Sequence, residues 1–195
     1  AAPVAAVAAA SSHIGRGARA ALVGRSGPGK TTLLNCIEGL DKPDSGSVVI
    51  DGTTVTTLSE QGRTTLRRDK VAFIFQTFGL VPMLSVAENL TLDAPPVRKP
   101  LGFPLIDHAA IREPARQALA ELDFAPDPDT RVDRLSFAER QLVAIAKALR
   151  RRCRLLILDE PTAALETREI ERLFAVLARM KAQGAAIIYV SHRLD

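Results

Sequence analysis

Two hydrophobic periods alternate along the chain. Short apolar runs stand at ARAALVG (18–24), VAFIF (71–75), RLLIL (154–158) and AAIIYV (185–190), each bounded by turn or polar residues, and such runs predict buried strands. SGSVVIDG adds a shorter strand between turn residues. Between the strands the spacing turns helical. TTLLNCIEGL stops at Gly39, a polar helix from about Glu60 to Arg68 follows a Ser59 cap, and SVAENL opens with a Ser85/Glu88 capping box. Residues 108–123 read as a helix despite Pro114. From Ser136 onward Ala138, Leu142, Ile145, Ala146 and Leu149 share one face. A last helix from Thr167 to Gln183 turns Ile170, Leu173, Phe174, Leu177 and Met180 inward and ends before Gly184. Strands alternating with helices predict an α/β fold with a mostly parallel sheet flanked by helices, its chemistry gathered at the strands' C-terminal ends. DAPPVRKPLGFP, with four prolines between Pro95 and Pro104, is expected to be a subdomain joint.

Composition narrows the class. With 195 residues, 47% hydrophobic and 25% charged, the chain fits one globular domain with a sizeable core. No apolar run reaches the ~18 residues needed to span a bilayer, so a membrane role requires a partner. The opening AAPVAAVAAASS has no basic region before it, which argues against a secretory signal and for a chain cut from a longer one. Cys36 and Cys153 sit far apart in apolar periodic segments and are expected to be buried thiols, with no cysteine metal site. The net charge of +4 owes much to Arg150, Arg151, Arg152 and Arg154, which follow a helix, where cations complement its C-terminal dipole. With no Trp and one Tyr, no aromatic residues are interleaved with those arginines, and nucleic acid is not an expected partner.

The candidate chemistry lies at the strand ends. Gly24-Arg25-Ser26-Gly27-Pro28-Gly29-Lys30-Thr31 matches the phosphate-loop pattern G-x-x-x-x-G-K-[ST] between a strand and a helix. Loop N–H groups and the helix N-terminus are expected to cradle the β- and γ-phosphates of a nucleotide, Lys30 adds a positive charge, and the Thr31 hydroxyl can hold Mg²⁺. Thr32 completes this phosphate-binding run. Pro28 departs from the rest of the loop, since it removes one N–H and restricts Gly27. LLILDEPT supplies a second half: Asp159 for the Mg²⁺ side and Glu160 to orient an attacking water. Gln76 and His192 each end an apolar strand and point to the same rim.

The order of these motifs resembles the nucleotide-binding domain of an ATP-binding cassette (ABC) transporter over nearly the whole chain. FIFQTFGLVP matches the Q-loop through Gln76, a further Mg²⁺ ligand and γ-phosphate sensor in that family, and LSFAERQ matches the signature motif by position. Asp159 and Glu160 match Walker B with its glutamate, Ala163-Ala164-Leu165-Glu166 the D-loop, and His192 the switch histidine. The resemblance implies a phosphate-loop NTPase with an inserted helical subdomain at about 77–150. It implies an ATPase with ATP and Mg²⁺ as cofactors and Glu160, His192 and Gln76 in the catalytic set. It further implies a second nucleotide-binding domain, in a homo- or heterodimer, a transmembrane permease subunit, and a place on the cytoplasmic face of the inner or plasma membrane.

In that family two domains pair head to tail, and the signature serine of one closes on the γ-phosphate held by the other. Here Ser136 keeps the N-cap position, Phe137 and Ala138 stand where two glycines are usual, and Glu139 replaces an amide while completing a capping box. A carboxylate there weakens the closed dimer unless it turns back onto the Ser136 N–H. Glu166 ends the D-loop where Asp is usual, no aromatic residue precedes the phosphate loop, and the chain is expected to be incomplete at both ends. LLNCIEGLDKPDSGSVVIDG through FQTFGLVPMLSVAENL is similar to ATPases of lipoprotein release and macrolide export. The stretch from about Leu101 to IIYVSHRLD is similar to monosaccharide-import ATPases. A domain that binds ATP without turnover and a non-transport ATPase of the same family are the alternative readings.

Overall fold

The computed structural model describes residues 7, 10–24, 28–74, 79–99, 103, 105–122, 124, 126–151, 153–162 and 165–191. The chain divides into two compact units, Ala1–Phe73 with Cys153–Glu160 and Lys181–Asp195, and Ile74–Arg152 with Pro161–Met180.

The first unit is built on a four-stranded sheet. Its order is β1 (Arg19–Val23), β8 (Ala186–Ser191), β7 (Leu155–Asp159) and β4 (Val71–Ile74), and β1 and β7 both run parallel to β8. Leu155, Leu156, Ile157 and Leu158 are buried in succession, as a central strand covered on both faces must be. β1 corrects the expectation of a buried strand: it lies at the edge of this sheet and Val23 is 39% exposed. An edge strand has one neighbour to cover it, and an apolar run does not encode its place in the order.

α1 (Pro28–Glu38) follows β1, and Gly39 ends it with φ +71. A Cβ at Gly39 would stand 2.8 Å from Val55 Cγ1, so both the left-handed backbone and the close approach exclude a larger residue. β2 (Val49–Ile50) and β3 (Thr53–Thr54) form an antiparallel hairpin across Asp51-Gly52. The Asp51 carboxylate accepts from Arg16 and lies 3.3 Å from Lys70 and 4.0 Å from Arg154. Burial alone would raise its pKa, but the bonds to Lys70 and Arg16 hold it below the usual carboxylate range. In α2 (Glu60–Lys70) the Ser59 hydroxyl caps the start by accepting from the Gly62 N–H at 3.2 Å, and Arg67, Arg68 and Lys70 fill the last turn. Leu34, Ile50, Val55, Leu66, Ile157 and Ile188 are central to the core of this unit.

Glu38, in the last turn of α1, is only 5% exposed, and burial pushes its pKa up to about 7, against the opposing pull of Arg67. The unfolded value is near 4.5. The native state therefore holds the extra proton, and stability is greatest below about 4.5 and falls as pH rises through about 7. Glu38→Gln should remove this slope, so its gain in unfolding free energy over the parent should be larger by on the order of 2–3 kcal/mol at about pH 8 than at about pH 4. Denaturant melts at the two pH values check this.

In the second unit α3 (Val86–Thr91), α4 (Arg112–Ala120) and α5 (Phe137–Arg150) pack on one another. The Ser85/Glu88 capping box forms, with the Glu88 N–H donating to Ser85 Oγ at 3.2 Å and the Ser85 N–H to Glu88 Oε2 at 2.8 Å. α4 begins at Arg112 rather than 108, because a proline is tolerated only in a helix's first turn and Pro114 must lie there. α5 is buried nearly all round, since Gln141, Val143, Ala144 and Ala148 join the expected face. α6 (Thr167–Ala182) buries Leu173, Val176, Leu177 and Met180, whereas Phe174 is 40% exposed and was wrongly expected inside. The buried set is the i, i+3, i+4, i+7 stripe, and Phe174 is one residue out of phase with it. Gly184 follows with φ +89, its N–H donating to the Lys181 carbonyl at 2.9 Å.

The proline-rich stretch is not a joint. It carries an antiparallel pair, β5 (Val97–Arg98) with β6 (Leu105–Ile106), inside the second unit, and the unit boundaries fall at Phe73/Ile74, Arg152/Cys153, Glu160/Pro161 and Met180/Lys181. Pro95 and Pro96 precede β5, where no ladder N–H is required of them. The arginines at the C-terminal end of α5 have structural partners: Arg150 Nη1 donates to the Leu90 carbonyl at 2.8 Å, and Arg151 lies 3.7 Å from Asp93.

Candidate nucleotide site and signature helix

Sheet register assembles the first half of the site. Val23 pairs with Ser191 and Asp159 with Val190, so β1, β8 and β7 end side by side. Gly24, Asp159 and Glu160 therefore share the rim of one parallel sheet, the edge where α/β folds present their loops to ligands. His192 comes next after Ser191 and lies outside the described residues, as do Arg25, Ser26, Gly27, Gln76, Ala163 and Ala164.

The Lys30 Nζ donates to the Gly24 carbonyl, which brings the ammonium back to the C-terminal end of β1. Gly29 and Thr32 are half-buried in the first turns of α1, and Thr31 is exposed. Pro28 is the first helical residue. A missing N–H there costs the helix nothing, because the first-turn donors have no intrahelical acceptor.

Asp159 and Glu160 are both half-buried at the end of β7. Glu160 adopts φ +49, a left-handed backbone that costs a non-glycine residue free energy, and its N–H donates to the Val190 carbonyl at 2.9 Å. Thr31 and Asp159 offer hydroxyl and carboxylate oxygens, the donors Mg²⁺ takes. No cluster of three or more His, Cys, Asp or Glu able to hold a metal occurs among the described residues. A sparse oxygen set fits Mg²⁺, which keeps waters and phosphate oxygens as its other ligands.

The signature segment lies in the second unit. Ser136 is the exposed N-cap of α5, and its hydroxyl accepts from the Glu139 N–H at 3.2 Å. The Glu139 carboxylate is turned back, accepting from the Ser136 N–H at 2.8 Å. Of the two orientations open to this carboxylate, the structure has the one that completes the capping box. Phe137 is half-buried, and Ala138 is only 6% exposed, its side chain lining a cavity of about 10 Å³ with Leu142, Leu165 and Leu173. The methyl of Ala138 is thus directed into the core rather than at the helix tip. In the D-loop, the exposed Glu166 donates its N–H to Glu169 Oε2 at 2.8 Å, capping α6. Cys36 and Cys153 are free and buried, and burial raises the Cys36 thiol pKa.

Two buried amides escaped the sequence reading. Gln141 on α5 is 3% exposed and donates to the Pro161 carbonyl at 2.7 Å, and Asn89 on α3 is fully buried. The signal for each was an amide at a position whose helical neighbours are apolar.

Comparison with known proteins gives a consistent picture. The chain is 42% identical over 174 residues to the ribose import ATP-binding protein RbsA 1 of Rubrobacter xylanophilus, covering 89% of this chain and 34% of that protein. It is also 42% identical over 174 residues to the arabinose import ATP-binding protein AraG 1 of Burkholderia cenocepacia, covering 89% and 33%. The chain thus spans about a third of the length of these curated relatives. Their likeness extends through both halves of the chain rather than the C-terminal half alone. Among solved structures, the dimeric post-hydrolysis state of the ATP-binding cassette MJ0796 bound to ADP and Pi matches with a TM-score of 0.79 at 30% identity, covering 97% of this chain and 81% of that one. A family model described as ABC transporter matches residues 7–163, and the chain belongs to the ABC transporter family.

Proposed function

We propose that this chain is the ATP-binding and ATP-hydrolysing domain that energises a monosaccharide importer. The observation that carries the reading is the shared rim: strand register sets Gly24, Asp159 and Glu160 side by side, with the Lys30 ammonium bonded to the Gly24 carbonyl. The sugar-import names of its relatives support the cargo class. No helix among the described residues is long and apolar enough to cross a membrane, so the reading calls for a separate permease and a peripheral place at the cytoplasmic membrane face. The stretch from about 77 to 150 is read as the helical subdomain that meets that permease.

In this reading the loop Gly24–Thr32 surrounds the phosphates, and Lys30 leaves the Gly24 carbonyl to bind them. Thr31, Asp159 and Gln76 hold Mg²⁺, which neutralises phosphate charge when bound. Glu160 orients water toward the γ-phosphate, with His192 beside it, and Gln76 relays the state of the site. A second copy or a related domain, paired head to tail, brings the Ser136 end of its α5 against that phosphate.

Mg-ATP-dependent phosphate release tests the reading. Lys30→Ala should weaken nucleotide binding roughly 10- to 100-fold, the worth of a charge-assisted hydrogen bond, and abolish measurable turnover. Equal turnover in parent and variant would sink the proposal, and nucleotide binding without turnover in the parent would favour a binding-only domain.

A further inference from the structure

The chain carries two cysteines and two methionines, and their sulfur atoms are not equally reachable. Cys36 is 8% exposed, Cys153 6% and Met180 2%, whereas Met83 is 66% exposed. Burial also raises the Cys36 thiol pKa, which keeps that group in its less reactive protonated form. A dissolved oxidant therefore meets one sulfur first, the Met83 thioether.

Main-chain bonds on both sides fix its place in the second unit. The Pro82 carbonyl accepts from the Asp133 N–H at 3.0 Å, the Leu84 carbonyl accepts from the Val132 N–H at 3.1 Å, and Ser85 forms an antiparallel bridge with Arg131. Asn89 holds the same stretch through Val81 and Leu84. This pairing lays Met83 against Arg131, whose Nη2 donates to Met83 Sδ at 2.9 Å and to Asp133 Oδ2.

The arginine is under-used. Its Nε is enclosed and has no hydrogen-bond partner among the described residues. An enclosed donor left unbonded costs free energy, and a thioether is a weak acceptor for the donor beside it. Guanidinium presents its Nε–H and an Nη2–H along one edge, a fork that suits a strongly polar oxygen. A sulfoxide oxygen is such an acceptor, and it would arise on the sulfur that Arg131 already touches.

We propose that Met83 is a site of oxidation by peroxides and that Arg131 holds the resulting sulfoxide. A sulfur lone pair attacks one oxygen of hydrogen peroxide, so that the S–O bond forms as the O–O bond breaks. The sulfur loses two electrons, and the departing hydroxide takes the proton of the transferred oxygen and leaves as water. Residues 131–135 run directly into Ser136, so the new bond fastens the approach to the N-cap of α5. This inference goes beyond the ATPase reading and does not depend on it.

The test treats the chain with dilute hydrogen peroxide and follows peptide mass, thermal unfolding and amide exchange. A single added oxygen should map to Met83, with Met180 and both cysteines unmodified at doses that oxidise free methionine. The oxidised parent should gain ~2–4 °C in Tm, the shift of one charge-assisted hydrogen bond in a chain of this size. The Val132 and Asp133 amides should exchange ~5- to 10-fold more slowly, and the Arg131 Nε–H should become protected, a readout that needs no variant. Met83→Leu should take up no oxygen and show none of these changes. Arg131→Ala should still be oxidised at Met83 but gain neither Tm nor protection, each form being compared with its own reduced state. Oxidation of Met180 or a cysteine ahead of Met83 overturns the site. Selective oxidation with an unchanged or lower Tm and an unprotected Nε–H overturns the role of Arg131, as do equal gains in Arg131→Ala.

Discussion

Glu160→Gln should lower ATP turnover at least roughly 100-fold, the usual worth of a positioned general base or water-orienting carboxylate, while leaving nucleotide affinity near that of the parent. The substitution preserves size, so the left-handed backbone at 160 and the N–H bond to Val190 are kept. Only the charge and the second acceptor oxygen are lost. On the proposed reading ATP then stays intact between paired domains, and an ATP-dependent dimer should accumulate with the variant. Phosphate release and light scattering on the same samples check both halves. Turnover within a few-fold of the parent would remove Glu160 from the chemistry, and lost turnover without a stabilised dimer would point to a signature helix that no longer closes.

Asn89→Ala should destabilise the second unit by on the order of 3 kcal/mol, the largest stability effect expected of any single polar side chain here. Asn89 is fully buried and uses its whole amide: Oδ1 accepts from the Val81 N–H at 2.7 Å, and Nδ2 donates to the carbonyls of Val81 at 3.0 Å, Leu84 at 3.3 Å and Ser85 at 3.0 Å. It thereby stands in for a neighbouring strand, tying residues 81–85 to the start of α3. Removing it strips partners from several enclosed backbone groups and leaves a void. Thermal unfolding should show a Tm lower by about 10 °C for a protein of this size, and Asn89→Asp, which cannot donate to the three carbonyls when ionised, should lose nearly as much. A Tm within ~2 °C of the parent for Asn89→Ala would mean the 81–85 segment is held by other contacts.

What could be read from the sequence was what neighbours in the chain decide. The starts of α3 and α5 follow from Ser85/Glu88 and Ser136/Glu139, because a capping box closes over four residues. β7 and β8 follow from apolar runs, and the places of Gly24, Asp159 and Glu160 at the sheet rim follow from their positions after strands. The misses are decisions made across the chain. Whether ALV in β1 is covered depends on its place in the strand order, and the pairing of β5 with β6 depends on two dipeptides finding each other. Phe174 shows how a one-residue error of phase changes a core list. Gln141 and Asn89 were hidden for another reason: an amide in a helical pattern reads as a solvent-facing residue until its backbone acceptor, twenty residues away for Gln141, is located.

The Glu139 carboxylate has one more consequence. In the paired state we propose, the anion site at the start of α5 already has a tenant on a three-residue tether, and a tethered anion competes at a high local concentration. Free phosphate or a stray carboxylate from solution must evict it unaided. A γ-phosphate presented by a docked partner arrives tethered as well, on a whole protein surface, and only that rivalry is balanced. On the proposed pairing, the helix tip would act as a threshold, deaf to anions in bulk solvent and responsive to nucleotide delivered in the right geometry.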